Sequence, residues 1–463
     1  MRDASMTRIK NKDQLVKNSQ TEVTRKARTL ALRSLEHALN AVDAGKLLKA
    51  KVRMKDSILH AGEHRFDMTK FRNVYVVGGG KAGGAMAQAL EEILGHRITE
   101  GVINVPYGDK HTTSLVRLQG ASHPVPDQAG VAGTRRMLEI ADKAQKDDLI
   151  IALISGGGSS LMPLPRGNIS LEDKQELTSA LLKSGAKISE INAVRKHNSD
   201  FKGGWLAKKA YPATALNLVL SDVVGDPLEF IASGPTVPDS TTFADVRSVL
   251  LKYGLWEKTP SSVRELIVDG EKGLVAETPK AGDVAFERVY SVILGNCRSA
   301  AVAACRYLKA EGLNTLLLTS SLEGEARCVG TMLGSLANDV ITSDEPLPKP
   351  AAIVAAGETT VTVTGKGLGG RNQELALSAA LELRKVEGVV IASLSTDGAD
   401  GPTDAAGAVV DGSTLTLAAR LGLKPEKFLA ENDSYSFFSK LGDLIVTGPT
   451  GTNVNDISLI IVL

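Results

Sequence analysis

A glycine-rich turn that carries one lysine is the part of this chain best suited to binding an anion. Residues 78–84 follow an apolar run and precede a helix-like stretch, and Lys81 lies within the turn. Glycine lets the backbone approach a phosphate closely, and the first N–H groups of a helix point towards it. Gly78, Gly79 and Gly80 are therefore candidate phosphate-binding residues, with Lys81 as the cation beside them. Taken alone, the motif fits a tight strand–helix turn with an exposed lysine equally well.

The same turn formally contains the Gly-x-Gly-x-x-Gly pattern of dinucleotide-binding proteins. The match is weak because such a site needs an acid at the end of the second strand, about 20 residues further on. The next acid after the second predicted strand is Asp109, which comes late and lies beyond a turn. The motif is not a Walker A loop either, since neither serine nor threonine follows the lysine.

A second glycine loop directly follows the apolar run 148–154. Glycines flanked by hydroxyl groups at the carboxyl end of a strand form a nest of N–H donors, and open α/β sheets bind ligands at that edge. Consecutive glycines are unfavourable unless a ligand or close backbone packing requires them. We favour a phosphate-binding loop. Its residues are Ser155, Gly156, Gly157, Gly158 and Ser159.

Two arginines lie at predicted helix ends, where a charge interacts with the helix dipole. Arg195 ends a helix together with two other bases, which dipole complementation explains best, although its guanidinium could also reach a substrate carboxylate. Arg371 instead begins a helix after a glycine run, where a positive charge is unfavourable unless an anion shares the site. We expect Arg371 to stabilise charge on a transferring phosphoryl group, with Glu358 and Asn372 as neighbouring binding residues.

Two acids follow apolar strands and could serve a metal ion or a reacting hydroxyl group. Asp222 comes just after the strand predicted over 214–220, and Asp397 follows the one predicted over 388–394. A carboxylate at such a position can bind Mg²⁺ or accept a proton from a hydroxyl group. We expect both acids to be metal ligands and Asp222 to be catalytic, while a polar turn is the simpler explanation of the Asp397 segment.

Helices and strands alternate along most of the chain, which predicts the framework for these loops. Short Val/Ile/Leu runs between helices favour mostly parallel sheets covered on both faces. The candidate strands are too many for one sheet. One of them is predicted at 360–364. We predict the α/β class, with two three-layer α/β/α domains and a Rossmann-like N-terminal domain. The polar stretch 269–285 is the predicted boundary. It gives one domain over 1–280, with a helical segment at its start, and another over 281–463.

Composition narrows the range of functions. The chain has 54 Lys and Arg against 53 Asp and Glu, and aromatic residues make up only 4%. This even charge balance and the scarcity of aromatic side chains argue against binding to nucleic acid or to a membrane surface. No apolar run is long enough for a membrane span and no signal-peptide pattern is evident, so we expect a cytoplasmic protein.

Together, these loops resemble those of the glycerate 2-kinase family, whose C-terminal part is called the MOFRL domain. Each segment alone is a weak signal, but the combination is highly specific and extends from about residue 74 to residue 463. The stretches that carry the resemblance are 78–84, 154–161, 191–206, 220–238, 357–377, 395–408 and 447–453.

The resemblance implies an ATP-dependent kinase that phosphorylates D-glycerate at its 2-hydroxyl group, giving 2-phosphoglycerate and ADP with Mg²⁺. It also implies catalytic roles for Lys81 and Arg371, each of which lies in its own matching stretch. The expected partners are the small molecules D-glycerate and ATP, and a homodimer is compatible with the sequence. The choice of the 2-hydroxyl group over the 3-hydroxyl group rests on resemblance alone.

Two other functions stay open at this point. An NAD(P)-dependent hydroxypyruvate reductase would use the Gly-x-Gly-x-x-Gly turn for its cofactor, but a ribose-binding acid and a well-placed histidine are missing. A non-catalytic sensor of sugar phosphates would bind its ligand without turnover, and it would have no need for Asp222, Asp397 or Arg371.

Overall fold

The computed structural model describes residues 8–463, which divide into two compact units. The central unit is Ala44–Leu294, and the terminal unit combines residues 8–43 with Gly295–Leu463. This division differs from the predicted domains in two respects. It falls after residue 294 rather than 280, and residues 8–43 belong with the second half of the chain.

Two sets of contacts explain this division. Arg28, in the helix Glu22–Ala41, has its guanidinium 2.7 Å from Asp411 and 2.6 Å from Asp443, and all three side chains are buried. These ion pairs hold the early helix to the terminal unit. The polar stretch 269–285, which the sequence predicted as the domain boundary, is bonded to the rest of the central unit. There, the hydroxyl group of Thr278 donates to Asp239 at 3.0 Å.

The central unit contains nine strands and nine α-helices among its described residues. The strands are β1 (Val52–Lys55), β2 (Ile58–Ala61), β3 (His64–Asp67), β4 (Asn73–Gly79), β5 (Glu100–Pro106), β6 (Val116–Ala121), β7 (Asp148–Ile154), β8 (Thr214–Leu220) and β9 (Val289–Gly295). The helices are α3 (Ala44–Lys51), α4 (Gly83–Leu94), α5 (Gln128–Lys143), α6 (Gly158–Leu161), α7 (Leu171–Lys183), α8 (Ile188–His197), α9 (Trp205–Ala210), α10 (Phe243–Lys252) and α11 (Ser261–Glu271).

The six-stranded sheet of the central unit places both predicted phosphate loops at one point. Its strand order is β6-β5-β4-β7-β8-β9, and β4 to β8 pair in parallel. Counted from β4, this is the 3-2-1-4-5-6 order of doubly wound sheets, which bind ligands where the order reverses. The reversal lies between β4 and β7, the two strands that precede the glycine loops. The strands β1 to β3 form a separate antiparallel sheet.

The terminal unit has a second six-stranded sheet with helices around it. Its helices are α1 (Lys12–Lys17), α2 (Glu22–Ala41), α12 (Cys297–Ala310), α13 (Ala326–Ser343), α14 (Arg371–Glu382), α15 (Thr414–Arg420), α16 (Pro425–Ala430) and α17 (Ser434–Leu441). Its strands are β10 (Asn314–Leu322), β11 (Ala351–Gly357), β12 (Val389–Ser395), β13 (Gly407–Asp411), β14 (Leu444–Ile445) and β15 (Asp456–Val462). The strand order is β10-β11-β15-β12-β13-β14.

The α/β class and the presence of two large sheets confirm the predicted fold. The expectation of mostly parallel pairing is correct for the central sheet but wrong for the terminal one. There, β15 lies between β11 and β12 and runs antiparallel to both, so only β10 and β11 form a parallel pair among the residues described. Buried apolar runs such as β15 do not reveal the direction of a strand, which explains the error.

The predicted strand at 360–364 is also wrong. The N–H group of Thr362 donates to the Glu325 carboxylate at 2.9 Å, and that of Thr364 donates to Asn432 Oδ1 at 2.8 Å. Side chains thus satisfy backbone groups that a neighbouring strand would otherwise pair, and the segment is a loop. Between residues 8 and 463, no helix combines the length and apolarity that a membrane crossing requires.

Candidate active site

The two predicted phosphate loops contact each other at the edge of the central sheet. The N–H group of Lys81 donates to the carbonyl of Gly156 at 2.8 Å, and the N–H group of Ala82 donates to Ser155 Oγ at 3.1 Å. Ser155 is buried, whereas the side chain of Lys81 is half-buried. The loops therefore form one surface at the point where the strand order reverses, where doubly wound sheets bind their ligands.

Close packing accounts for the glycines of the first loop. A Cβ atom at Gly78 would lie 2.1 Å from the Leu153 carbonyl oxygen, and one at Gly80 would lie 2.1 Å from Ser155 Oγ. Gly78 and Gly79 belong to β4, and the N–H group of Gly80 donates to the Asn104 carbonyl at 3.1 Å. This arrangement does not provide the N–H cradle predicted at these glycines, so Lys81 carries the case for anion binding by this loop.

The second loop connects to other polar side chains of the central unit. Gly157 has φ +80°, and a Cβ atom there would lie 3.2 Å from Lys81 Cγ and 3.1 Å from the His123 ring. Ser159 Oγ lies 2.8 Å from Ser233 Oγ, whose hydroxyl group donates to Asn192 Oδ1 at 3.2 Å. A chain of hydrogen-bonding groups therefore extends from this loop to helix α8.

Arg195 lies in α8, one turn after Asn192, and Lys174 and Lys202 lie within its electrostatic reach. The ammonium of Lys174 donates to the carbonyl and the side-chain oxygen of Asn198 at 3.0 and 2.8 Å, and that of Lys202 donates to the Met162 carbonyl at 2.7 Å. Burial, with Arg195 nearby, lowers the pKa of Lys174 to about 7. Burial also lowers the pKa of Lys202, with Lys174 and Arg195 adding to the effect. Burial lowers the pKa of Arg195 as well.

Asp222 lies two residues beyond the end of β8 and is half-buried. Because β8 pairs in parallel with β7, this carboxylate lies at the same sheet edge as Ser155. Within residues 8–463, no group of three or more His, Cys, Asp or Glu side chains is arranged to hold a metal ion. A metal site that includes Asp222 would therefore need further ligands from water or substrate.

Arg371, the predicted catalytic arginine of the terminal unit, is held by two carboxylates. Its guanidinium bonds to Asp456 through Nε and through Nη2 at 2.9 Å, and Nη1 lies 2.8 Å from Glu358. Asp456 begins β15 opposite the end of β11, after which Glu358 follows. The anion that the sequence predicts beside Arg371 is therefore supplied by the protein itself, and Glu358, predicted to bind substrate, is one of its partners.

Asn372, a predicted binding residue, is also engaged within the terminal unit. Its amide group donates to Asp400 at 3.2 Å, and its Oδ1 accepts from the hydroxyl group of Ser393 at 2.5 Å. Asp400 further accepts the N–H groups of Asn372 and Gln373 at the start of α14. Burial raises the pKa of Asp400 to about 6.

The Asp397 segment and the glycine run before Arg371 have local structural roles. Asp397 Oδ1 accepts from Ser395 Oγ at 2.8 Å and from the Ala399 N–H group at 3.0 Å, which is the polar turn that the sequence suggested as the simpler explanation. A Cβ atom at Gly365 would lie 2.2 Å from the Glu431 carbonyl oxygen. Close backbone packing therefore explains this glycine without a ligand.

Two of the buried lysines in the central unit, Lys174 and Lys202, were not among the predicted site residues. Lys174 lies on the helix α7, where Leu171, Leu177 and Leu181 are buried at helical spacing, and the lysine falls on the same apolar face. A lysine at such a position is the signal that could have revealed it. No comparable signal identifies Lys202, because it precedes two glycines in a connecting segment.

Comparison with known proteins decides the family. The model of DUF4147, described as a domain of unknown function, matches residues 30–268, and the model of the MOFRL family matches residues 351–456. A D-glycerate 2-kinase of Thermotoga maritima is 48% identical over 387 residues, which cover 83% of this chain and 89% of the relative. The chain belongs to the glycerate 2-kinase family.

A solved structure supports this assignment, whereas a second relative has a different name. The crystal structure of a glycerate kinase from Thermotoga maritima has a TM-score of 0.81 and 43% sequence identity, with 94% of this chain and 99% of that chain covered. An Agrobacterium vitis relative, 42% identical over 84% of this chain and 86% of its own length, is provisionally named a hydroxypyruvate reductase. The resemblance to the glycerate 2-kinase family inferred from the loops is thus confirmed.

Proposed function

We propose that this protein transfers a phosphoryl group from ATP to the 2-hydroxyl group of D-glycerate, giving 2-phosphoglycerate and ADP. The observation that carries the proposal is the 48% identity to a D-glycerate 2-kinase along 83% of the chain. The contact between the Lys81 loop and the Ser155 loop supports it, because it creates a lysine-bearing surface where doubly wound sheets bind ligands.

Lys81 and Arg371 are the proposed catalytic cations. Phosphoryl transfer depends mainly on positioning and on neutralising charge, so a lysine at the loop surface suits the transferred group. The two carboxylates that hold Arg371 fix the orientation of its guanidinium and leave further N–H donors for a ligand. Residues Gly156 to Ser159 are the proposed backbone contacts to phosphate.

Asp222 is the proposed carboxylate for Mg²⁺ and for the reacting hydroxyl group. Mg²⁺ in kinases binds through one or two carboxylates plus the phosphates of the substrate, so a single acid at the sheet edge fits this need. The ion would neutralise phosphate charge. Asp397 stays a second predicted ligand, one oxygen of which is already used in its turn.

Product analysis tests the proposal. The protein is incubated with ATP, Mg²⁺ and D-glycerate, and the phosphate ester is identified by ³¹P NMR. We expect 2-phosphoglycerate, and a 3-phosphate ester or unchanged ATP would contradict the proposal. A parallel reaction with NADH or NADPH and hydroxypyruvate follows nicotinamide absorbance, since oxidation of either cofactor would instead support the reductase named for one relative.

A further inference from the structure

Two buried lysines in the central unit lack the acid partner that a third one has. Lys196, in α8, is fully buried with its ammonium 2.6 Å from Asp239 and 3.4 Å from Glu229. Lys174 and Lys202 are 4% and 1% exposed, yet their ammonium groups bond only to amide and carbonyl oxygens. Neither forms an ion pair with any residue from 8 to 463.

Arg195 adds a third cation without a partner. It is half-buried in α8, and its guanidinium makes no hydrogen bond or ion pair with the part of the chain that the structure describes. Arg195 and Lys202 both lie close enough to Lys174 for their charges to influence one another. Asp200, the acid that acts on Lys174, already lies 3.7 Å from the guanidinium of Arg166.

Lys174, Lys202 and Arg195 lie within electrostatic reach of one another, and their positive charges are unfavourable there unless an anion binds beside them. Withdrawal of a charge from water costs several kcal/mol per ion, in rough terms, unless an opposite charge lies beside it. Groups with strongly shifted pKa values are concentrated at ligand-binding and catalytic sites. The position of this cluster suits such a role, because Asn192 lies one turn before Arg195 in α8 and is joined through Ser233 to Ser159 of the phosphate loop.

We infer that Lys174, Arg195 and Lys202 form the subsite for the carboxylate of D-glycerate. Arg195 contacts the carboxylate through its planar pair of N–H donors, and the two lysines are positioning residues that supply the positive field behind it. In glycerate the carboxylate is bonded to the carbon that bears the 2-hydroxyl group. A fixed carboxylate therefore determines which hydroxyl group faces the phosphate loop. The inference rests on the proposed function and explains why the 2-hydroxyl group would be the one phosphorylated.

Binding measurements on the full chain test the inference without turnover. The dissociation constants of D-glycerate and of the uncharged glyceramide are measured by calorimetry, with and without ADP, for the wild type and for Lys174→Gln, Lys202→Gln and Arg195→Gln. Glutamine keeps a donor for the buried oxygens while removing the charge. Lys183→Gln, at the exposed end of α7, is the matched control.

We expect each charge-removing variant to weaken D-glycerate binding by about 10–100-fold while glyceramide binding and the KM for ATP stay unchanged. A merely structural role would weaken both ligands alike and would overturn the inference. Wild-type affinity for D-glycerate in all three variants, a change confined to ATP, or no preference of the wild type for the charged ligand would also overturn it. Charge-dependent binding without phosphorylation would instead support the subsite and contradict the proposed kinase activity.

Discussion

Two half-buried arginines, Arg371 in the terminal unit and Arg195 in the central unit, stand in opposite electrostatic surroundings. Arg371 bonds to Asp456 and Glu358, and Asp400 adds further negative charge near it. Arg195 has cations as its charged neighbours and makes no ion pair within residues 8–463. The first arginine is compensated by the protein, whereas the second leaves its positive charge for a ligand.

This difference predicts that Arg371 contributes to the stability of the fold, whereas Arg195 contributes to substrate binding. Removal of Arg371 would leave the buried carboxylate of Asp456 without its counter-charge, which destabilises a fold. Removal of an uncompensated cation relieves repulsion between like charges and weakens only the binding of an anion. The two arginines should therefore respond to the same substitution in different measurements.

The largest effect is expected for Arg371→Gln. Loss of a preorganised cation should lower turnover by about 10²–10³-fold. The buried carboxylate of Asp456, left without its partner, should also lower the free energy of unfolding by about 2–3 kcal/mol, a value reduced for the partial exposure of Arg371. Steady-state kinetics and urea unfolding measure the two effects. Unchanged stability would show that the carboxylates do not depend on Arg371.

Lys81→Ala should have a similar effect on turnover. We expect a loss of about 10²–10³-fold in kcat, since Lys81 is proposed to neutralise charge on the transferred group. Lys110→Ala, an exposed lysine after β5, serves as the control and should retain wild-type kinetics. Near-normal turnover of the Lys81 variant would reject its catalytic role.

Arg195→Gln should have a smaller effect that appears in substrate affinity alone. We expect the KM for D-glycerate to rise by about 10–100-fold with kcat largely retained. Thermal unfolding should occur at the wild-type temperature or above it, because the variant removes a charge without a partner. A clear drop in the unfolding temperature would make Arg195 structural, like Arg371, and would remove the contrast between them.

The smallest expected effect is a pH dependence of D-glycerate binding. Burial lowers the pKa of Lys174 to about 7, with Arg195 adding to this effect and Asp200 opposing it. Lys202 also lies within electrostatic reach, and a bound carboxylate favours the protonated form of Lys174. Below pH 7 the ammonium is already charged, so affinity should be constant there and should fall as pH rises above 7. Calorimetry between pH 6 and 9 measures this trend. The Lys174→Gln variant should show a weaker trend, because Lys202, whose pKa burial also lowers, still titrates.

The sequence predicted the loops better than their internal contacts. Apolar strands followed by glycine turns correctly indicated the central sheet, and the combined motifs indicated the family. The roles of individual residues were less accessible, because a glycine required by a ligand and one required by close packing look alike. Gly78 and Gly80 illustrate this, since neighbouring protein atoms fill the space beside them.

Partners distant in sequence explain what the sequence could not supply. Asp456 lies 85 residues from Arg371, so nothing near the arginine showed that its charge is compensated. Likewise Lys174, Arg195 and Lys202 come from three different segments, and only folding brings their charges together. The antiparallel insertion of β15 depends on a chain crossing that apolar periodicity does not encode.

A crystal structure of the protein with D-glycerate tests the central claim most directly. We expect the substrate carboxylate within hydrogen-bond distance of the Arg195 guanidinium, with Lys174 and Lys202 behind it and the 2-hydroxyl group towards Ser159. A carboxylate bound elsewhere, with Arg195 making no contact to the substrate, would contradict it.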